Sequence, residues 1–235
     1  MSGYNLAFKK AFPYTIPVLT GYLFIGIAFG IMYAEKGYSI WWAVLMSVLV
    51  YAGSAQYLAV NFFVPGISFA QIIFMTLMVN IRHVFYGLTW LEKFHQMGKK
   101  RWYMVFGLTD ETYSLLCLTK APDGVDEDKF MFAIVLLNQV YWVVGSAIGS
   151  ILKNVLPFHA AGIDFAMTAL FVVIFTEQWL DARNRIPAAI GVTSAILCLQ
   201  VFGSTNFVFP TMVVSVLVLF IAKNRLEEEV EDHAD

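Results

Sequence analysis

Long stretches without a charged residue constrain this chain more than any other feature. Residues 11–34, 37–81, 130–152 and 186–222 contain no Asp, Glu, Lys or Arg. A helix needs about 20 apolar residues to cross the hydrocarbon core of a bilayer. The two shorter stretches therefore each fit one crossing, and the two longer ones each fit two. With 59% hydrophobic and 14% charged residues, the sequence predicts an all-α integral membrane protein.

The apolar pattern predicts about eight spans in one transmembrane domain, residues 1–226, followed by an acidic, solvated tail, residues 227–235. The predicted spans are 14–34, 40–63, 67–90, 102–119, 130–152, 163–180, 186–203 and 207–222. Eight crossings would place the basic segment 93–101 opposite the N-terminus, and the Lys and Arg residues would then divide almost evenly between the two sides. A re-entrant segment before it would move that segment to the N-terminal side and leave seven crossings. Both counts stay open.

Two pairs of glycines have the spacing of close helix packing. Gly26 and Gly30 lie in the first predicted span, and Gly145 and Gly149 lie in the fifth. Small residues four apart let two helix backbones approach each other. The pairs are also half a chain apart, so an internal repeat, which is common in transporters, is an open alternative.

The third predicted span carries an unusual density of polar side chains. Asn80 and His83 share one stripe of a helix, and Arg82 and Tyr86 share the neighbouring stripe. An ionisable group at the centre of a span costs about 2.5–3.5 kcal/mol, which makes it a functional candidate. Arg82 lies about ten residues, or roughly 15 Å, from the basic segment, too far for its side chain to reach the interface. We therefore predict that Arg82 faces the interior.

The fourth predicted span carries two adjacent acids, Asp110 and Glu111. A break at Gly107 would allow Thr109 or Asp110 to cap a second half-helix, and a broken helix at membrane depth must line a cavity or be buried in protein. A short interfacial helix with both acids in water is the alternative. If the acids are inside, we predict that one pairs with Arg82 and that the other is free to titrate.

Other polar residues fall inside predicted spans. They are Ser54, Gln56 and Asn61 in the second, Asn138 and Gln139 in the fifth, and Asp164, Glu177 and Gln178 in the sixth. The candidate substrate or coupling residues are Arg82, Asp110, Glu111, Asn80, His83, Tyr86, Ser54 and Gln56. Asn138 and Gln139 are typical of hydrogen bonds between helices. The chain has no catalytic or metal-binding motif, and its two cysteines are unpaired in apolar stretches, so we expect no enzyme, cofactor or metal. An intramembrane hydrolase using Ser54 and His83 is a minor alternative. The net charge of −2 gives no reason to expect nucleic acid.

Together these elements resemble the AzlC family, the large subunits of two-component branched-chain amino-acid exporters. The similarity runs in order over about residues 13–175. Its pieces are Gly21-x4-Gly26-x3-Gly30, Tyr51-Ala52-Gly53-Ser54-Ala55-Gln56, Asn80-Ile81-Arg82-His83-Val84-Phe85-Tyr86-Gly87, Leu108-Thr109-Asp110-Glu111, Trp142-x2-Gly145-x3-Gly149 and Asp164-Phe165-Ala166-Met167-Thr168-Ala169-Leu170-Phe171.

The resemblance implies a multi-pass protein of the bacterial cytoplasmic (inner) membrane that exports leucine, valine, isoleucine or methionine with a small AzlD-type membrane subunit. An amino-acid zwitterion needs a cation or a helix N-terminus for its carboxylate and an acid or carbonyl groups for its ammonium. Either Arg82 or the Gly107–Asp110 turn can bind the carboxylate, and either Asp110 or Glu111 can bind the ammonium or carry the coupling proton. Proton coupling is the leading hypothesis. A channel or a non-transporting scaffold is the alternative, and a homo-oligomer stays open.

Overall fold

The computed structural model describes residues 3–60, 62, 68–155, 165, 168–169, 172, 175–176, 179–180, 185–207, 210–211 and 213–222. The helices are α1 (Gly3–Glu35), α2 (Ile40–Leu49), α3 (Gly53–Ala59), α4 (Phe69–Asn80), α5 (Arg82–Thr89), α6 (Leu91–Gln96), α7 (Arg101–Phe106), α8 (Asp110–Leu118), α9 (Glu127–Val155), α10 (Ile186–Asn206) and α11 (Val213–Ala222), with a 3₁₀ turn at Gly98–Lys100. The helical membrane fold is as the sequence predicts. Two compact units, Met1–Thr168 and Ala169–Asp235, divide the chain.

The two longest helices, α1 and α9, run parallel and in register. Near their starts the rings of Tyr4 and Phe132 lie 6.3 Å apart. Halfway along, Thr15 and Tyr141 share a hydrogen bond of 2.9 Å. At their ends Lys153 pairs with Glu35 at 3.1 Å. We call the end at which both helices begin end A and the other end B. Because α1 and α9 point the same way, the chain between them crosses from end B back to end A.

The glycines of the two predicted packing motifs meet each other where α1 and α9 cross. A Cβ added to Gly26 would lie 3.2 Å from the Cα of Gly145, and one added to Gly149 would overlap the carbonyl of Ile27. The close approach also lets Ser150 donate a hydrogen bond of 3.1 Å to the carbonyl oxygen of Gly30. An ordinary side chain at these positions would force the helices apart.

The second predicted span folds as two half-helices. The first begins at end B, and the second returns the chain to end B. α2 and α3 have 10 and 7 residues, about 15 and 10 Å, so neither crosses a bilayer. Gln56 of α3 donates to Ser47 of α2 at 3.2 Å, whereas nine residues of a straight helix would separate them by about 13 Å. The turn at Val50–Ala52 places Tyr51 at a φ of 42°. We call this turn tip 1. The prediction of one continuous span over 40–63 is therefore wrong.

The next segment returns the chain to end A. α4 and α5 are separated at Ile81, which keeps helical backbone angles (φ −58°, ψ −28°), and residues 72–89 are long and apolar enough to span a membrane. The basic segment that follows forms α6 and the 3₁₀ turn. It lies at end A, because Lys93 pairs with Glu127 at the start of α9 at 2.6 Å and Phe94 packs in a cluster with Ala11.

The fourth predicted span is a second pair of half-helices, entering from end A. α7 and α8 have 6 and 9 residues and are separated at Gly107–Thr109, which we call tip 2. Met104 of α7 and Leu116 of α8 share one buried cluster with Phe130 at the start of α9, so the chain turns back. The predicted break near Gly107–Asp110 is thus confirmed. A Cβ on Gly107 would overlap Val135 of α9, which explains the glycine at this turn.

The two hairpins enter from opposite ends, and their tips meet between α1, α5 and α9. The ring of Tyr51 at tip 1 lies 6.1 Å from that of Phe106 beside tip 2. Each hairpin follows a long helical segment, α1 or α4–α5, so the two halves of this arrangement are inverted with respect to each other. The repeat suggested by the glycine motifs involves residues outside the described ranges and stays a prediction.

The unit Ala169–Asp235 contributes α10 and α11. Residues 186–203 are long and apolar enough to span a membrane, and α11 is a shorter apolar helix. Pro187 lies in the first turn of α10, where its missing N–H is harmless. Gly203 has a φ of 72°, which interrupts the helix where the sequence predicts a break. The described residues include four helices that qualify as spans. Because the second and fourth predicted spans are hairpins of short half-helices, at most six of the eight predicted spans can be full crossings, fewer than the expected seven or eight. The single domain and the acidic tail stay predictions.

Candidate functional site

An ion pair lies where the two hairpin tips meet. The guanidinium of Arg82, the first residue of α5, lies 2.8 Å from the carboxylate of Asp110, the first residue of α8. The same nitrogen donates to the hydroxyl of Ser54 in α3 at 2.5 Å. The predicted pairing of Arg82 with one of the two acids is therefore present. About 30% of the Arg82 side chain and 26% of the Asp110 side chain are exposed, so the pair is not sealed in the protein interior.

Aromatic side chains hold the second oxygen of Asp110. Tyr86, one turn after Arg82 on α5, donates to this oxygen at 2.5 Å. The ring of Tyr86 stacks on that of Tyr113 at 4.4 Å and meets the edge of the His83 ring at 5.6 Å. Asp110 is thereby fixed between a cation and a hydroxyl. Hydrogen bonds to a charged carboxylate are strong, so this arrangement is stable.

Glu111 occupies a different environment one residue further on. Its carboxylate accepts a hydrogen bond of 2.7 Å from Tyr22 of α1, and in the described part of the chain it forms no ion pair. Tyr22 is buried, and its ring packs edge-on against Trp142 at 5.4 Å. The two adjacent acids therefore differ: Asp110 is neutralised by a cation, whereas Glu111 is held by a neutral hydroxyl.

The local sequence explains why α8 begins at Asp110. Thr109 has extended backbone angles, and its side-chain oxygen accepts the backbone N–H of Thr112 at 3.3 Å, as an N-cap does. The predicted cap at Thr109 or Asp110 is thus Thr109. Both acids lie in the first turn, where the positive end of the helix dipole favours negative charge.

Two of the predicted site residues lie apart from the ion pair. Asn80 donates to the carbonyl of Thr76 in its own helix at 2.9 Å. Gln56 is fully buried in a separate ring of hydrogen bonds, in which it accepts from Trp142 at 2.9 Å and donates to Ser47. Its role there is to join α2, α3 and α9. Ser54 accepts a hydrogen bond from Arg82, and Nδ1 of His83 lies 3.0 Å from the carbonyl oxygen of Asn80. Ser54 and His83 therefore do not form the pair that an intramembrane hydrolase would need.

Some residues of the site could not be recognised from the sequence. Tyr22 and Thr112 carried no signal, because a Tyr or Thr in an apolar span is common. Asn138 did carry one, and its predicted role between helices is confirmed by its hydrogen bond of 3.0 Å to Thr112 of α8. Asp164 and Glu177 lie outside the described residues. Within the described ranges no cluster of His, Cys, Asp and Glu has the geometry to hold a metal ion.

Comparison with known proteins identifies the family. The AzlC protein family matches residues 17–156, a range that contains both hairpins and the ion pair. The chain is 42% identical over 222 residues to the branched-chain amino acid transport protein AzlC of Bacillus subtilis strain 168, covering 94% of this chain and 87% of that protein.

More distant relatives cover most of the chain as well. An uncharacterized membrane protein of Haemophilus influenzae is 38% identical over 226 residues, covering 96% of this chain and 93% of that protein. The inner membrane protein YgaZ of Escherichia coli K12 is 25% identical over 213 residues, covering 87% and 84%. No solved structure matches this chain. The family match and the 42% identity show that this chain, a multi-pass membrane protein, belongs to the AzlC family.

Proposed function

We propose that this chain is the transport-forming large subunit of a two-component exporter of branched-chain amino acids in the bacterial inner membrane. The observation that carries the proposal is the Arg82–Asp110 ion pair at the meeting point of two half-helical hairpins. Interrupted helices at membrane depth are typical of transporter binding sites. The name of the Bacillus subtilis relative, a branched-chain amino acid transport protein, supports this substrate class.

The ion pair complements a zwitterion. Arg82 would bind the substrate carboxylate through two parallel N–H groups, and Asp110 would accept hydrogen bonds from the ammonium. One internal ion pair is then exchanged for two ion pairs with the substrate, so every charge stays neutralised. The partly exposed side chains of Val50 at tip 1 and Phe106 beside tip 2 offer apolar contact to a branched side chain.

Glu111 is the candidate for the coupling proton. It lies next to Asp110 but lacks a cationic partner among the described residues, so gaining or losing a proton changes the net charge of the site by one. A passive channel or a scaffold would not need this residue. Proton coupling therefore predicts that Glu111 is required for uphill transport and that its neutral isostere is inactive in it.

The test is leucine efflux from preloaded cells. We compare the chain alone, the chain with a small AzlD-type subunit, and this pair carrying Arg82→Ala, each at matched protein levels. Efflux from the intact pair only would support a two-component exporter with Arg82 in the substrate path. Equal efflux in all three would exclude this substrate class or transport itself.

A second comparison tests coupling. Glu111→Gln in the intact pair should lose efflux driven by a proton gradient, while Glu127→Gln should keep it. Glu127 is a suitable control because its side chain is 59% exposed and pairs with Lys93 at end A. Gradient-driven efflux by Glu111→Gln at the wild-type rate would remove Glu111 from the coupling mechanism.

A further inference from the structure

Three hydroxyl groups run in a line from Glu111 into the protein interior. Tyr22 donates to Glu111, and its oxygen lies 2.5 Å from that of Thr109. Thr109 donates to the hydroxyl of Thr112 at 2.9 Å, and Thr112 also accepts a hydrogen bond of 3.0 Å from the side-chain amide of Asn138. Tyr22, Thr109, Thr112 and Asn138 are all buried. The line joins α1, α8 and α9.

Counting hydrogens fixes how this line can be arranged. A hydroxyl has one hydrogen and can donate only once, and an ionised carboxylate only accepts. In the structure Tyr22 donates to Glu111 and Thr109 donates to Thr112, which leaves no hydrogen for the contact between the Tyr22 and Thr109 oxygens, so one of these two hydrogen bonds has to reverse. When Glu111 is ionised, Tyr22 must donate to it, so the hydrogen between Tyr22 and Thr109 comes from Thr109. Thr112 must then donate to Thr109. All three hydroxyls point their hydrogens toward Glu111.

A protonated Glu111 permits the opposite direction. Its carboxyl hydrogen can be donated to Tyr22, after which Tyr22 donates to Thr109 and Thr109 donates to Thr112. Thr112 then needs a new acceptor. A buried donor left without an acceptor is rare in proteins, because it has lost its water and gained nothing.

Two unpartnered oxygens lie beside Thr112. The hydroxyl of Tyr51, which is only 3% exposed at tip 1, interacts with Thr112 and Tyr22 without a hydrogen bond of normal geometry among the described residues. The side-chain oxygen of Asn138 also has no partner there. A half-turn of the Asn138 amide exchanges its nitrogen and oxygen at almost no change in shape. Either oxygen can accept from Thr112 when the line reverses.

We propose that Tyr22, Thr109 and Thr112 form a hydrogen-bond switch that reverses direction with the protonation of Glu111, and that Asn138 and Tyr51 supply its far end. The inference rests on the proposed function, in which Glu111 takes up and releases the coupling proton. Each hydroxyl keeps one hydrogen in both directions, so only Glu111 gains or loses a proton. These are positioning residues that act on Glu111 through Tyr22.

The charged and titratable groups around Glu111 come from four elements. Tyr22 faces it from α1 and Tyr51 from tip 1, while Asp110 precedes it on α8 and Arg82 and Tyr86 lie on α5. The hydroxyl of Tyr86 is already donated to Asp110. Asp110 and Arg82 neutralise each other. Tyr22 and Tyr51 are neutral hydroxyls. When the charge of Glu111 changes, these side chains can therefore respond by changing the direction of their hydrogen bonds.

The experiment follows the infrared carbonyl band of protonated Glu111 across pH in the purified protein, with the band assigned by its loss in Glu111→Gln. Thr112→Val removes the acceptor for Thr109 in the reversed direction and so disfavours protonated Glu111. We expect the titration midpoint to fall by about one pH unit, a tenfold change in the protonated population. Thr112→Ser, which keeps the hydroxyl, should restore the midpoint.

A matched control is Thr15→Val. Thr15 is as buried as Thr112, but its hydroxyl bonds to Tyr141 and to the carbonyl of Phe12, outside the line. Its midpoint should equal that of the wild type. Tyr51→Phe removes only an acceptor at the far end of the line, so it should lower the titration midpoint by less than Thr112→Val does. If Thr112→Val does not fold, Tyr51→Phe is the variant that tests the switch.

The outcomes separate this inference from the proposed function. A Glu111 band that titrates with the same midpoint in the wild type, Thr112→Val and Tyr51→Phe would overturn the switch and leave proton coupling standing. A wild-type protein in which no Glu111 band titrates would overturn both.

Discussion

The guanidinium of Arg82 and the carboxylate of Asp110, 28 positions apart in the sequence, lie 2.8 Å apart at the meeting point of two hairpins that enter from opposite ends of the bundle. Neither hairpin crosses the bundle, so each exposes backbone and polar side chains at its tip. The ion pair joins the first residue of α5 to the first residue of α8. It therefore stabilises the turn of the second hairpin as well as forming the candidate binding site.

Removing one partner should harm stability more than removing both. Arg82→Ala leaves the Asp110 carboxylate without its cation, and Asp110→Ala leaves Arg82 without its anion, whereas the double variant leaves neither charge uncompensated. We expect the two losses in free energy of unfolding to be non-additive by on the order of 1–2 kcal/mol. Unfolding of the four proteins in detergent measures this coupling.

The control cycle uses Lys93 and Glu127, whose nitrogen and oxygen lie 2.6 Å apart at end A, where the Glu127 side chain is 59% exposed. Exposed ion pairs contribute about 0–1 kcal/mol. Strictly additive losses for Arg82 and Asp110 would show that their contact does not stabilise the fold.

Gly30→Ala should destabilise the protein because a Cβ at this position would overlap the carbonyl oxygen of Ser146 and approach the backbone of Ser150. Inserting a methyl group into such a contact costs about 1–3 kcal/mol. Gly21→Ala in the same helix is the control, since nothing lies within 4 Å of its added Cβ. It should be neutral or slightly stabilising, because alanine favours helix. Thermal unfolding distinguishes the two, and equal midpoints would contradict the tight α1–α9 crossing.

End A should face the cytoplasm. In the unit Met1–Thr168 the basic residues described at this end are Lys9, Lys10, Lys93, Lys99, Lys100, Arg101, Lys120 and Lys129, while Lys36 and Lys153 lie at end B. An excess of Lys and Arg marks the cytoplasmic side. In a background without Cys117 and Cys198, Lys36→Cys should react with an impermeant maleimide in intact cells.

Lys99→Cys should react only after the cells are made permeable. Both lysines are exposed, so burial does not complicate the comparison. The opposite labelling pattern would reverse the orientation, and labelling of both in intact cells would contradict the placement of the basic segment at end A.

The sequence predicts the membrane fold, the break at tip 2 and the pairing of Arg82 because each follows from the cost of a charge or an exposed backbone group in an apolar medium. It does not reveal the hairpin at tip 1. Residues 40–63 carry no charge and are mostly apolar, and hydropathy cannot distinguish a helix that crosses from two halves that turn back. The hydrogen bonds of Gln56 could not be predicted for the same reason, because its partners Ser47 and Trp142 come together only through that turn. The one sign in the sequence that 40–63 is not a continuous span was that eight crossings divide the Lys and Arg residues almost evenly between the two sides of the membrane.

Thr109→Ala should destabilise α8 and with it the second hairpin. The Thr109 oxygen accepts the backbone N–H of Thr112 at 3.3 Å, and loss of such a cap costs about 0.5–2 kcal/mol. Thr109→Ser keeps the oxygen and should retain most of the stability. Hydrogen exchange of the α8 amides is the most direct measurement, because faster exchange should appear in residues 110–113 before any change in α9. Unchanged exchange in Thr109→Ala would mean that packing against α9, rather than the cap, determines where α8 begins.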